Sequence, residues 1–144
     1  MPREVLGNFL GDDGLTVADF PEFAIHGWTV SFAHVPAVVV VRRDLSKAGH
    51  LYRTFLGSEG VAYLKNYLEA RLRAHERLGP ESAVLTPERA EKPFFRTTNI
   101  GDMVRNVLRR TGFRQYRPHA LRTTFATRLM ACENQGRAPH SFAV

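Results

Sequence analysis

The chain has 144 residues, enough for one domain with a packed core and too few for two ordinary ones. Hydrophobic residues make up 44% and charged residues 24%, the usual balance of a soluble globular protein, and the longest aliphatic run, over 37–41, is far too short to span a bilayer. The single cysteine, Cys132, excludes an internal disulfide framework and a cysteine-based zinc cluster, and the start Met1-Pro2-Arg3-Glu4 lacks a leader's charged-then-apolar pattern, so a cytoplasmic protein is expected.

The formal charge is +6, and its distribution says more than its size. From Arg96 onward the basic residues are Arg96, Arg105, Arg109, Arg110, Arg114, Arg117, Arg122, Arg128 and Arg137, against only Asp102 and Glu133. All are arginine, whose planar fork can donate two parallel hydrogen bonds to a phosphate. Such a stretch suits nucleic acid; the alternative is a merely solvated basic face.

In chain order, residues 3–9 read as a short helix stopped by Gly11 and the Asp12-Asp13-Gly14 turn. Residues 16–20 read as a second short turn or helix, ended by Pro21. Residues 28–32 alternate in strand fashion, and the valine-rich run 37–42 after Pro36 reads as a buried strand. Ser46-Lys47-Ala48-Gly49 is a turn and 51–56 the return strand, giving a hairpin with Lys47 at or beside its tip. A helix then starts at Ser58 as its cap, with Val61, Leu64, Leu68 and Leu72 on one apolar stripe, and Gly79-Pro80 closes it.

Residues 80–96 read as a loop with at most a short strand at Val84-Leu85. Thr97 or Thr98 caps the next helix, with Ile100, Met103, Val104, Val107 and Leu108 inward, Arg105 and Arg109 outward, and Thr111-Gly112 at its end. A last helix starts near Pro118, carries Leu121, Phe125 and Leu129 toward a core, and is broken at Gly136; residues 139–144 read as the opening of another. Cys132 falls in its apolar stretch, where packing is the expected role. The order of short helices, a small antiparallel hairpin sheet and then helices is that of an α+β protein.

On the last helix His119 and Arg122 stand three residues apart and share a face near the N-terminus, where backbone N–H groups add positive potential. An imidazole and a guanidinium so placed suit a phosphate oxygen, although such a pair alone is more often a plain surface feature. The whole string Pro118-His119-Ala120-Leu121-Arg122-Thr123-Thr124-Phe125-Ala126-Thr127 resembles the second signature box of tyrosine recombinases (phage-integrase family), usually His-x-Leu-Arg-His-Thr-Phe-Ala-Thr. Every position agrees or is free except Thr123, where histidine is frequent and no catalytic role is held. By this resemblance Arg122 contacts a scissile phosphate and His119 assists as hydrogen-bond donor or base.

Upstream, Ser46-Lys47-Ala48-Gly49 followed by Arg53-Thr54-Phe55-Leu56 resembles the family's hairpin, whose lysine reaches into the DNA minor groove and protonates the departing 5′ oxygen. That role falls on Lys47, which without the resemblance would be a solvated charge on a turn. Residues 59–71 resemble the helix that follows this hairpin. Two departures stand against these matches. Glu4-Val5-Leu6 fits the tail of the family's first box, Gly-Leu-Arg-x-x-Glu-Leu, but puts Met1 where the essential arginine belongs, and Arg3 is at the wrong spacing. The later Leu-Gly-His and the nucleophilic tyrosine are not found: His140 lies in Ala138-Pro139-His140-Ser141, and Tyr52, Tyr63, Tyr67 and Tyr116 do not take the nucleophile's place.

The resemblance thus implies a mostly helical catalytic-domain fragment with a small antiparallel β-hairpin sheet, one partial domain over 1–144. The N-terminal core-binding domain, the first-box arginine and the nucleophile segment are expected to be lacking. It implies DNA binding and site-specific recombination or integration as part of a tyrosine recombinase, inactive alone. Its partners are double-stranded DNA and other recombinase protomers, with no metal, no small-molecule cofactor and no membrane. An alternative is a non-catalytic DNA-binding module or regulator that reuses the fold and needs the arginine faces but neither His119 nor Lys47. A third is an unrelated basic α+β protein.

Overall fold

In the computed structural model, which describes residues 6–88, 91–114 and 116–134, the chain divides after Thr97 into two units, Met1–Thr97 and Thr98–Val144. The expectations for residues 1–5, for Gly136, for residues 139–144 and for the packing of Cys132 fall outside the described residues. The described elements make an α+β protein with three helices and two small antiparallel two-stranded sheets.

The first sheet joins β1 (Phe23–His26) to β2 (Thr29–Phe32), with Phe23 opposite Phe32 and His26 opposite Thr29. The two-residue loop Gly27-Trp28 turns with Gly27 at φ 62, the conformation that glycine adopts without steric cost. A strand over 28–32 is expected from the sequence, but its partner β1 is not. Its signal was the glycine-led dipeptide between two apolar runs. Phe32 then packs edge-on against both Phe20 and Phe23.

The second sheet is the expected hairpin: β3 (Ala37–Val41) pairs with β4 (Tyr52–Leu56), Ala37 opposite Leu56 and Val41 opposite Tyr52. Ala37, Val39 and Val41 are buried while Val38 and Val40 are only partly so. The run expected as a buried strand is thus one, with one face on the core and the other half-buried.

Helix α1 (Ser58–Arg73) buries the expected stripe Val61, Leu64, Leu68 and Leu72, with Gly57 rather than Ser58 at the cap. It stops at Arg73, short of the expected Gly79-Pro80. The reason is tertiary. His75 takes φ 64, and its N–H donates to Leu72 C=O (2.9 Å) while Glu76 N–H donates to Arg71 C=O (3.1 Å), the paired bonds that satisfy a helix's last carbonyls. Glycine normally fills that left-handed position. Here a set of side-chain contacts flanks it: Trp28 meets His75 edge-on (5.5 Å between centroids), and the Arg71 guanidinium grips Glu76 (2.6 and 2.8 Å) and donates to the carbonyls of Ala83 and Val84 (2.8 and 3.0 Å).

The core of this unit gathers Leu15, Phe20, Val30, Val39, Val41, Leu45, Leu64, Leu68, Leu72 and Val84. Glu69, buried on α1, accepts the Val30 N–H (3.0 Å) and so ties the helix to β2. Residues 82–84 lie along 15–17, with Val84 N–H on Leu15 C=O (2.9 Å) and Val17 N–H on Ser82 C=O (3.0 Å), close to the short strand expected there. Of the helix expected over 3–9, Leu6 is helical and residues 7–9 are not. Gly7 lies against the Phe95 backbone so closely that a Cβ there would stand 1.7 Å from the Phe95 oxygen.

Helix α2 (Thr97–Arg110) begins at the buried Thr97, the last residue of the first unit, whose hydroxyl donates to Gly7 C=O (2.8 Å) of the same unit; from Thr98 on the helix belongs to the second unit. Its covered line runs through Gly101, Val104 and Leu108; Met103 and Val107, expected inward, are exposed. They sit on the flank of that line, so the apolar stripe is wider than the face that is covered. Thr111-Gly112 ends the helix as expected, with Gly112 at φ 87 and Phe113 N–H on Leu108 C=O (2.7 Å). Helix α3 (Pro118–Asn134) starts where expected, but Leu121, Phe125 and Leu129 are 53%, 53% and 38% exposed. The four-residue spacing places them on one side of the helix, and spacing alone does not say what covers that side.

Candidate nucleic-acid interface

The three expected site residues lie on two elements. Lys47 belongs to the first unit, on the connection from β3 to β4; His119 and Arg122 belong to the second, on the first turns of α3.

The base of the Lys47 connection is pinned. Arg42, next after β3, donates from Nε to Asp19 (2.9 and 3.2 Å) and from a terminal nitrogen to Asp13 (3.2 Å) and Gly14 C=O (2.8 Å). Burial opposes the charge of Arg42, and the bonds to Asp19 and Asp13 outweigh it, holding its pKa above the usual value. A short 3-10 turn, Arg43–Leu45, follows, and Leu45 plugs into the core. Beyond it Gly49 N–H closes a turn onto Ser46 C=O (2.9 Å), with Gly49 at φ 68. Lys47 sits in that turn, exposed and with no ion-pair partner among the described residues. The turn thus carries an exposed ammonium above a base held by the Arg42 bonds. Arg42 and Asp19 are 23 residues apart, and no local spacing pairs them.

On α3, Pro118 occupies the first helical position, where its missing N–H is no loss. Ala120 N–H bonds back to Arg117 C=O (2.9 Å) and opens the helix. His119 and Arg122 are both exposed, one turn apart, and neither side chain has a hydrogen-bond partner among the described residues. The helix brings these two together. Thr123 and Thr127 turn their hydroxyls onto the carbonyls of His119 (3.4 Å) and Thr123 (2.9 Å). Thr123, the one departure from the signature string, thus spends its hydroxyl inside the helix.

In the same unit Arg105, Arg109, Arg110, Arg114, Arg117 and Arg128 are all exposed. Asp102 is already taken by Arg105 through an ion pair one turn away. The unit therefore presents guanidinium groups with little competing carboxylate, a surface suited to phosphate rather than to a neutral ligand. Among the described residues no three His, Cys, Asp or Glu side chains group as a metal site, and no helix is long and apolar enough to cross a membrane.

No family model, no curated protein and no solved structure matches the chain.

Proposed function

We propose that the chain binds double-stranded DNA through its phosphates and serves, as part of a tyrosine recombinase, in site-specific recombination or integration. The observation that carries this is His119 and Arg122, exposed and without a hydrogen-bond partner among the described residues on the first turns of α3, within a string that resembles the family's second box. Lys47, exposed on the turn of a pinned hairpin and without an ion-pair partner among the described residues, supports it.

The chemistry follows from the residue types. When an oxygen attacks a phosphodiester, negative charge grows on the non-bridging oxygens and a 5′ oxygen must leave. The Arg122 fork and the α3 N-terminus would stabilise the first, and His119 would donate a hydrogen bond or take a proton beside it. Lys47 would deliver a proton to the second. None of Tyr52, Tyr63, Tyr67 and Tyr116 is assigned the nucleophile's role: Tyr52 lies on β4, Tyr63 and Tyr67 on α1, and Tyr116 before α3. The proposed function is therefore the holding of DNA, with strand transfer only alongside a tyrosine from elsewhere.

The test is duplex affinity as a function of salt. Wild-type binding should weaken steeply between about 50 and about 200 mM salt, and Arg122→Ala should lower affinity and reduce the salt slope by about 1. Equal binding by the two proteins at both salts would overturn the proposal. A non-catalytic DNA-binding module is a second reading, favoured by the arginines beyond the site itself. It requires His119→Ala and Lys47→Ala to leave function intact.

A further inference from the structure

We infer that the turn between α2 and α3 is a stacking platform for unpaired bases of DNA, separate from the phosphate contacts of Lys47, His119 and Arg122 and resting on the DNA-binding function proposed above. The sequence here interleaves two aromatics with arginine: Arg109, Arg110, Phe113, Arg114, Tyr116 and Arg117. Gly112 reverses the chain after α2, and Tyr116 N–H then closes a second turn onto Phe113 C=O (3.1 Å). The two rings are thereby gathered on one turn, their centroids 6.0 Å apart and tilted by 56°. They remain 51% and 49% exposed.

A structural role accounts for part of Phe113. It follows a helix stop, where an apolar residue commonly touches the last helical turn. Tyr116 has no such position, and its hydroxyl has no hydrogen-bond partner among the described residues. All four arginines are exposed, and none is paired with a carboxylate among the described residues; between Asp102 and Glu133 the sequence holds no acid. Exposed aromatic rings interleaved along the chain with exposed arginines match one ligand chemistry closely: a strand whose phosphates meet the arginines while an unstacked base lies on a ring. A fully paired duplex keeps its base faces in the stack and offers this turn only phosphate. DNA with an opened, gapped or frayed segment offers both.

The experiment titrates the full chain against a paired duplex and against the same duplex carrying a short unpaired bubble with a 2-aminopurine in it. Tighter binding to the bubble, by about five-fold or more, is expected, with quenching of the 2-aminopurine as it stacks. Phe113→Leu and Tyr116→Leu keep apolar bulk and the helix stop but lose the rings. Each should reduce the preference and the quenching while leaving duplex affinity unchanged; Tyr116→Phe should retain both. Far-ultraviolet circular dichroism shows that the variants fold. Equal binding of duplex and bubble by the wild type, or a preference that survives both leucine variants, overturns the platform and leaves duplex binding standing. A chain that binds neither DNA overturns the platform together with the function it rests on.

Discussion

Arg42 and Arg122 are two arginines of one basic chain, and the fold puts them to opposite uses. Arg42 is fastened to Asp19, Asp13 and a backbone carbonyl, whereas Arg122 stands exposed without a partner among the described residues. Composition counts both alike; only their surroundings separate a brace from a candidate ligand contact. Asp19 is buried and accepts from the Thr16 backbone (2.9 Å) as well as from Arg42. Asp19→Ala should therefore destabilise the protein by about 1–3 kcal/mol, because the donors left behind lose their acceptor out of water; urea unfolding measures it. The Arg71–Glu76 pair carries a pH signature. Arg71 holds the Glu76 carboxyl below its usual range. A carboxyl depressed in the folded state contributes stability that is complete above its unfolded pKa and lost as pH falls through the folded one. Thermal stability should thus decline below about pH 4.3, and Glu76→Gln should flatten that decline, by less than about 1 kcal/mol because the pair is half-exposed.

Elements behave according to how many of their faces find a partner. In α1 the stripe Val61, Leu64, Leu68, Leu72 was legible from four-residue spacing, and all of it is buried. Leu68 is among the most buried side chains, so Leu68→Ala should cost about 2–5 kcal/mol by the lost contacts and the cavity left, read from the denaturant midpoint. In α3 the same spacing over Leu121, Phe125 and Leu129 leads to half-exposed residues, since periodicity sets which side of a helix is apolar and not what packs on it. The end of α1 makes the same point. No glycine marks it in the sequence, and a histidine takes the left-handed residue because Trp28, Arg71 and Glu76 assemble around the turn. By contrast Gly7 has no freedom at all: Gly7→Ala would drive a methyl group into the Phe95 carbonyl, and a large loss of melting temperature or of soluble yield is expected.

For the whole molecule, the packed core lies in the unit Met1–Thr97, which also carries Lys47, while the arginine-rich surface with His119 and Arg122 lies in the unit Thr98–Val144. Local stability follows burial. Amide hydrogen exchange should accordingly be slowest in β3 and along residues 64–72 of α1, and faster along 118–134 of α3. If the proposed function holds, adding duplex DNA should slow exchange at the start of α3 and in the turn that carries Lys47, and leave the α1 amides unchanged. Mass spectrometry of the exchanged peptides reads all of these regions in one experiment.

The local features of this protein were decided by the sequence alone: the α+β order, the hairpin over 37–56 with Lys47 on its turn, the buried stripe of α1, the start of α3 at Pro118 and the grouping of His119 with Arg122. Each depends on neighbours within a turn or two of helix or across one hairpin, and such contacts are written in spacing, turn residues and caps. The partner strand β1 was written there too, in Gly27-Trp28, though its two apolar runs lack clean alternation. What only the tertiary structure decided depends on residues far apart in the chain: Arg42 on Asp19, Glu69 on the Val30 amide, Gly7 against Phe95, the early stop of α1, and which apolar faces of α2 and α3 are covered. Those contacts exist only once the chain has closed loops tens of residues long, and the geometry of that closure is carried by no local pattern.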